Sequence, residues 1–334
     1  MTRALVTGGS GFIGQHLVSE LIARGLKVRV LDVLLPTRAL SDVDYVQGSV
    51  LDNRLVQEVM TDVDQVYHLA GLPGMWKADK ADFHAVNFTG TENVLSEARR
   101  RGVAKFMHCS TESILFRASQ PEDVAAEDAA LTVKEMPGPY TRSKMLADRL
   151  ALQAAESGFP VIVGCPTMPI GPHDRNLTPP TAMLQHFLGD GRLQMYLDFI
   201  VNLVDVRDVA VGLILAMERG RVGQRYLLGG DCVPLRRILE LMAAMSGRRK
   251  LFIPIPGLLA QLAALFIELK ADYVTRRTPS ATVEGVRIAR RASALSIEKA
   301  QRELGYAPRP VDSVLQETIA HMMDVPVSRI LKHA

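Results

Sequence analysis

The chain is short of several things, and each shortage narrows what it can be. Among its 334 residues are three cysteines, Cys109, Cys165 and Cys232, with no Cys-x-x-Cys pair. Isolated thiols argue against a zinc site or a disulfide framework, so no metal is expected and a reducing, cytoplasmic setting is. A surplus of one charge is also missing. Lys and Arg number 39 against 36 Asp and Glu, so nucleic acid is not the expected partner. The opening "MTRALVTGG" runs straight into an apolar strand, which leaves no room for a signal peptide. Internal repeats and low-complexity linkers are absent.

No apolar run is long enough to span a bilayer, although one comes close. Residues 251–267, "LFIPIPGLLAQLAALFI", carry no charge, but two prolines and a glycine early in the run leave too short a helix. Residues 270–309 then hold nine Lys or Arg against four Asp or Glu. Two readings stand: a buried or lid-like helix, or an interfacial helix making peripheral membrane contact through 251–269.

What is present is an ordinary globular composition, 48% apolar and 22% charged, arranged as an alternation. Strands are expected at 3–8, 27–32, 44–48, 65–71, 105–110 and 160–166. Helices are expected at 12–24, 52–60, 84–101 and 140–157. Short apolar strands alternating with helices predict an α/β fold, a doubly wound parallel sheet of the Rossmann type. After residue 166 the rhythm breaks into the loop "TMPIGPHDRNLTPPT". Residues 1–166 are therefore expected to bind the cofactor, with parts of 198–230 returning to that sheet. Residues 167–334 are expected to form mainly a smaller α+β substrate domain.

"VTGGSGFIG" places Gly8, Gly11 and Gly14 between a strand and a helix, as a pyrophosphate-binding turn requires. Asp32 follows at the end of the second strand, where a carboxylate would hold the ribose hydroxyls and favour NAD. Arg38 could instead pair with the 2′-phosphate of NADP. Asp52 is placed either beside the adenine or as a plain helix cap. Further on, "GPYTRSK" sets Tyr140 and Lys144 four residues apart, on one helical face.

Several motifs occur together and in order: "TGGSGFIG", Asp32, "HLAG" (68–71), "NFTGTENVL" (87–95), "CSTES" (109–113), "YTRSK" (140–144), "NLVDVRDVA" (202–210) and "LGYAPRP" (304–310). With these the chain resembles the extended short-chain dehydrogenases/reductases, in the NAD-dependent epimerase/dehydratase grouping, over nearly its whole length. That resemblance implies an enzyme with Thr111, Tyr140 and Lys144 as its catalytic set. Tyr140 would exchange a proton with the substrate hydroxyl, Lys144 together with a cationic nicotinamide ring would favour the phenolate, Lys144 would also hold the nicotinamide ribose, and Thr111 would hold the reacting oxygen. Phe12, Ile13, Leu69, Ala70, Gly71, Pro166 and Met168 would join the cofactor contacts. Asn87 would fix the scaffold, and a homodimer would form through 84–101 and 140–157.

The resemblance also has gaps that bear on substrate. The acidic pair that eliminates water in the dehydratases of the grouping is reduced here to Glu112, followed by Ser113. An asparagine and an arginine that serve nucleotide-sugar epimerases correspond to Met168 and Val201, although Arg175, Arg192 or Arg236 could reach a phosphate from elsewhere. The nearest patterns are dihydroflavonol-reductase-like, 3β-hydroxysteroid-dehydrogenase-like and hopanoid-associated sugar-epimerase-like members. The implied pocket includes Leu72, Met75, Trp76, Glu112, Met168, Pro169 and Leu177, with simple packing an equal reading for Trp76. His173 is expected to be solvated. An oxidoreductase of an apolar secondary alcohol or ketone is expected first, and a sugar or nucleotide-sugar epimerase second. A non-catalytic NAD-binding sensor stands third.

Overall fold

The computed structural model describes residues 2–117, 124–246 and 250–324. The first half lays down β1 (Arg3–Thr7), α1 (Phe12–Ala23), β2 (Lys27–Asp32), β3 (Val43–Gln47), α2 (Asn53–Val59) and β4 (Gln65–His68). There follow α3 (Ala81–His84), α4 (Gly90–Arg100), β5 (Lys105–Cys109), α5 (Pro139–Glu156) and β6 (Val161–Pro166). The central strands are runs of apolar residues buried on both faces, the pattern of a parallel sheet covered by helices.

After β6 come β7 (Met168–Ile170), α6 (Pro179–Leu188), β8 (Leu193–Tyr196), β9 (Ile200–Asp205), α7 (Val206–Arg219) and β10 (Arg225–Leu228). The chain continues through β11 (Cys232–Pro234), α8 (Leu235–Ser246), β12 (Leu251–Pro254) and α9 (Gly257–Lys270). It closes with α10 (Val283–Ala289), α11 (Glu298–Leu304) and α12 (Val311–Asp324).

The main sheet has seven strands in the order β10-β6-β5-β4-β1-β2-β3, every pair parallel. The order reverses between β1 and β4, so the strand ends diverge there and open a crevice at the carboxyl edge. Helices α2, α4 and α5 cover one face through Val56, Val94, Leu95, Met145 and Ala151. Helices α1, α7 and α11 cover the other through Leu17, Leu21, Leu213, Met217 and Leu304. Each such Leu or Val contributes about 1.5–3 kcal/mol by leaving water. Strand β9 stays outside this sheet, in a three-stranded one ordered β11-β9-β7, while α7 and β10 rejoin the main layer.

Two local features differ from the sequence expectation. The helix read as 84–101 begins at Ala81 and carries a π turn over Ala85–Thr89. The side chain of Asn87, in that turn, reaches out to bond Leu72 and Ser143, and the extra residue aims it there. The run 251–267 contains the strand β12, which pairs in parallel with β8, before α9 begins. Among the described residues no helix is long and apolar enough to cross a membrane.

Candidate active site

The glycine turn lies between β1 and α1, at the switch point of the sheet. Gly8 has φ +72°, and a Cβ on it would stand 2.7 Å from the backbone nitrogen of Ala70. A Cβ on Gly14 would overlap the carbonyl oxygen of Gly8. Only glycine lets these backbones meet. Helix α1 begins with Gly11 as its cap, with no side-chain cap and no acidic residue in the first turn. Phe12, Ile13 and Gly14 therefore start a helix whose N–H groups face the crevice uncapped. The buried hydroxyl of Ser10, in the same turn, has no hydrogen-bond partner. This cradle fits a pyrophosphate, with backbone donors for its oxygens and room that a side chain would fill.

Asp32 ends β2 beside the turn. Its carboxylate accepts hydrogen bonds from Ser10 N at 3.0 Å and Leu34 N at 3.1 Å, which orient it toward the crevice edge. Arg38 is exposed on the loop beyond. Asp52 is the N-cap of α2, accepting from the amides of Arg54 and Leu55 at 3.0 and 3.2 Å, so its visible role is the cap. Leu69, Ala70 and Gly71 leave the end of β4, the next strand across the switch point. A Cβ on Gly71 would come 3.0 Å from Asn87 Oδ1. That oxygen accepts from Leu72 N at 2.7 Å while Nδ2 donates to Ser143 Oγ at 3.0 Å. Asn87 thus ties the strip after β4 to the helix that carries Tyr140 and Lys144.

Thr111, Tyr140 and Lys144 come together where β5 ends and α5 begins. Lys144 Nζ donates to the carbonyl of Cys109 at 2.7 Å, which fixes the ammonium at the end of β5. Burial lowers its pKa, and the neighbouring Cys109 and Asp148 offset part of that. Thr111 Oγ1 lies 2.9 Å from Glu112 Oε2 and 2.9 Å from Ser113 Oγ. The Tyr140 phenol lies beside Thr111. The Phe83 ring sits against Tyr140 edge to face, 6.0 Å between centroids.

Burial dominates the electrostatics of the polypeptide here. Within the polypeptide the phenol is held above its ordinary value. Burial raises the Tyr140 pKa, the charge of Glu112 raises it further, and Thr111 only partly opposes this. Glu112 itself is pushed up to about 8, because burial disfavours its charged form more than Thr111 and nearby amides favour it. Burial thus favours the uncharged forms of both the Glu112 carboxyl and the Tyr140 phenol.

Sequence reasoning missed one residue here. Glu284, on α10 in the C-terminal half, is 4% exposed and sits at the start of α5. It accepts from Thr141 N at 2.7 Å, Thr141 Oγ1 at 2.7 Å and Tyr140 N at 3.2 Å. Gly138, the N-cap of α5, has no side chain to do this, and a Cβ there would run into Glu284. A side chain from another helix thus caps the helix of Tyr140. No spacing motif announces it; the bare Gly-Pro start of α5 is the one available signal.

The expected pocket residues divide. Trp76 is buried and donates its Nε1–H to Asp272 at 2.7 Å, so its polar edge is committed to the segment after α9. Met168 and Pro169 form β7, paired with Leu203 and Val204, and Met168 packs on the C-terminal core. Pro166 ends β6, directly before them. Leu177 takes a left-handed φ of +47° in the loop after β7. His173 has ring neighbours that the sequence did not show, His16 at 6.3 Å and His321 at 5.7 Å. Val201 is wholly buried in β9 and faces no solvent. Arg236 is paired with Glu240 at 2.8 Å, while Arg175 and Arg192 are exposed. Among the described residues no cluster of His, Cys, Asp and Glu could hold a metal ion.

Comparison with known proteins agrees with this fold. The sequence profile of the NAD dependent epimerase/dehydratase family matches residues 4–229. The chain is 32% identical to a 4-hydroxy-2-methyl-3-oxo-4-farnesyl-3,4-dihydroquinoline-1-oxide ketoreductase of Stigmatella aurantiaca, over 92% of this chain and 92% of that protein. It is 28% identical to sterol demethylase protein B of Methylococcus capsulatus, over 95% and 97%. Its fold superposes on UDP-glucose 4-epimerase of Thermus thermophilus, solved in complex with NAD. That match has a TM-score of 0.77 at 22% identity, over 97% of this chain and 100% of the other.

Proposed function

The chain belongs to the NAD-dependent epimerase/dehydratase family, and from that premise we propose that it interconverts a secondary alcohol and a ketone on an apolar, non-nucleotide substrate. The observation that carries this reading is the joint state of the site. Thr111, Tyr140 and Lys144 converge where β5 ends, while the two positions that would meet a nucleotide-sugar hold Met168 and a buried Val201. Neither side chain can hydrogen-bond or neutralise a diphosphate. Curated relatives of similar length include a ketoreductase of a farnesylated quinoline oxide and a sterol demethylase component.

When bound in the glycine cradle, the dinucleotide supplies or accepts the hydride. The chain's own residues handle the oxygen and its proton. Thr111 and the Tyr140 phenol lie side by side at the end of β5, where together they can hold and polarise a carbonyl oxygen. The phenol is kept protonated, so it can give its proton to the forming alkoxide. Glu112, joined to Thr111 at 2.9 Å, is a neutral acid near pH 7 and stands where it can return a proton through the threonine hydroxyl. Lys144, locked to the Cys109 carbonyl, holds a cationic hydrogen-bond donor one helical turn from the phenol. Asp32, held by two amides at the end of β2, places a negative charge where a 2′-phosphate would sit, which supports NAD over NADP.

The test is a spectrophotometric screen for the reduced nicotinamide. It uses 3-hydroxysteroids, dihydroflavonols and 3-oxoalkanoates beside UDP-glucose and UDP-galactose, with each dinucleotide. Steady NAD-linked turnover of an apolar substrate is expected. Protein that purifies with NAD bound, shows no net turnover and inverts a UDP-sugar would replace this reading with an epimerase.

A further inference from the structure

Helix α9 and the π turn that follows it (Ala271–Thr275) turn an apolar face to solvent. Leu258, Leu259, Leu262, Leu265, Phe266 and Leu269 are 41% to 71% exposed, a spacing that places them all on one half of the helix. Ala260 and Ala264 face the opposite way and are buried. Tyr273 and Val274 carry the exposed face onward at 80% and 73%. Beside α9 in the chain, β12 pairs with β8 so that exposed Leu251 and Ile253 stand opposite exposed Leu193 and Met195. A patch of this extent marks a surface that meets something apolar.

The charges on the segment are sorted. Its two carboxylates are turned inward: Glu268 accepts from Lys80 at 2.9 Å and from Val283 N at 2.8 Å. Asp272 accepts from Trp76 at 2.7 Å and Lys80 at 3.1 Å. Its cations, Lys270, Arg276 and Arg277, remain exposed at the carboxyl end. A leucine- and phenylalanine-rich half with a cationic end has the chemistry of an interfacial helix, and fourteen residues are too few to span. A second copy meeting this face through a two-fold axis would bring no free carboxylate from the segment to these cations.

We propose that this face docks on the surface of a lipid bilayer that carries anionic headgroups. The leucines and Phe266 enter the boundary between headgroup and acyl chain, while Lys270, Arg276 and Arg277 meet phosphates. The Trp76 and Lys80 bonds join the docking face to the loop that follows Gly71, beside the candidate active site.

The test is sedimentation of the full chain with vesicles of phosphatidylcholine alone and of phosphatidylcholine with phosphatidylglycerol. Binding is expected to the anionic vesicles, weakening as salt is raised. Leu262→Glu with Phe266→Glu should weaken it about tenfold or more, and Lys270→Glu with Arg277→Glu about twentyfold. These side chains point outward, so NAD affinity and melting temperature of both variants should match the unsubstituted protein and show that the fold is intact. Protein that stays in the supernatant with both vesicle types overturns the proposal. So does a Leu262→Glu, Phe266→Glu variant that turns a dimer into a monomer in sedimentation velocity with no change in vesicle binding, which would assign the face to a second copy.

Discussion

Removing the carboxylate of Glu284 should loosen the helix that carries Tyr140 without touching the dinucleotide cradle. Tyr140 and Thr141 are the second and third residues of α5, and their amides have no earlier carbonyl in the helix to bond. In Glu284→Ala the Thr141 N–H, on a residue with 0% exposure, is left buried without its acceptor. A hydrogen bond to a charged group is worth about 1.5–3 kcal/mol and a helix cap about 1 kcal/mol. The expected loss is therefore about 2.5–4 kcal/mol, or a melting temperature lower by about 4–6 °C in a chain of this size. In Glu284→Gln the amide oxygen still accepts from Thr141 while its NH2 turns toward Tyr140 N, so a loss of about 1–2 kcal/mol is expected. Scanning calorimetry measures the stability, and amide hydrogen exchange at Tyr140 and Thr141 locates it. The phenol position follows the first turn, so turnover of an accepted substrate should fall about a hundredfold in Glu284→Ala. The affinity for NAD should stay unchanged, because β1, α1 and β2 are untouched. The reasoning is refuted if those two amides exchange as slowly as before, or if NAD affinity falls along with turnover.

Other consequences are as direct. Tyr140→Phe keeps the ring against Phe83 and removes the proton donor, so turnover should drop by about 10²–10⁴-fold with NAD binding retained; a fully active variant would remove Tyr140 from the chemistry. Glu112 has its folded-state pKa raised to about 8, above that of a free carboxyl, so its contribution to stability is complete below the unfolded pKa and is lost as pH rises through about 8. Denaturant titration should show Glu112→Gln gaining on the unsubstituted protein between about pH 5 and pH 8, and a flat difference would contradict the burial argument. Gly8→Ala puts a Cβ 2.7 Å from Ala70 N at φ +72°, and calorimetry should find it destabilised by about 2–4 kcal/mol with NAD binding lost. Asp32→Ser should narrow the gap between NAD and NADP in fluorescence titration, since the charge that repels the 2′-phosphate is gone.

Much of this protein is written locally. A turn that needs positive φ shows as glycine, a buried parallel strand shows as an apolar run, and a residue pair one helical turn apart shows as a spacing of four. For that reason Gly8, Gly14, Asp32, Tyr140 and Lys144 could be placed from the sequence, as could the alternation of the main sheet. Asp52 was half legible: an acidic residue opening a helix reads as a cap, and a cap is what the structure shows. Thr111 was legible through its place in "CSTES", whereas the state of Glu112 beside it was not. A carboxyl's pKa depends on how much water reaches it, and that is settled by what packs around it.

The remaining features come from contacts between distant segments, which leave no period in the sequence. Glu284 lies 143 residues from the Thr141 amide it caps, and Trp76 lies 196 residues from Asp272. His16, His173 and His321 meet only because a loop, α1 and α12 converge. The apolar run at 251–267 is the plainest case. Composition announces a helix that avoids water, but which half of it finds protein depends on the surface laid against it. Here Ala260 and Ala264 are buried on that surface, because small side chains let the backbone approach, and the leucines are left facing outward. Local sequence thus determined the glycine turn and the shared helical face of Tyr140 and Lys144, since backbone sterics and helical spacing act within a few residues. Tertiary packing alone decided the cap on α5, the raised pKa of Glu112 and the outward apolar face, because burial and long-range hydrogen bonds exist only once the chain has folded on itself.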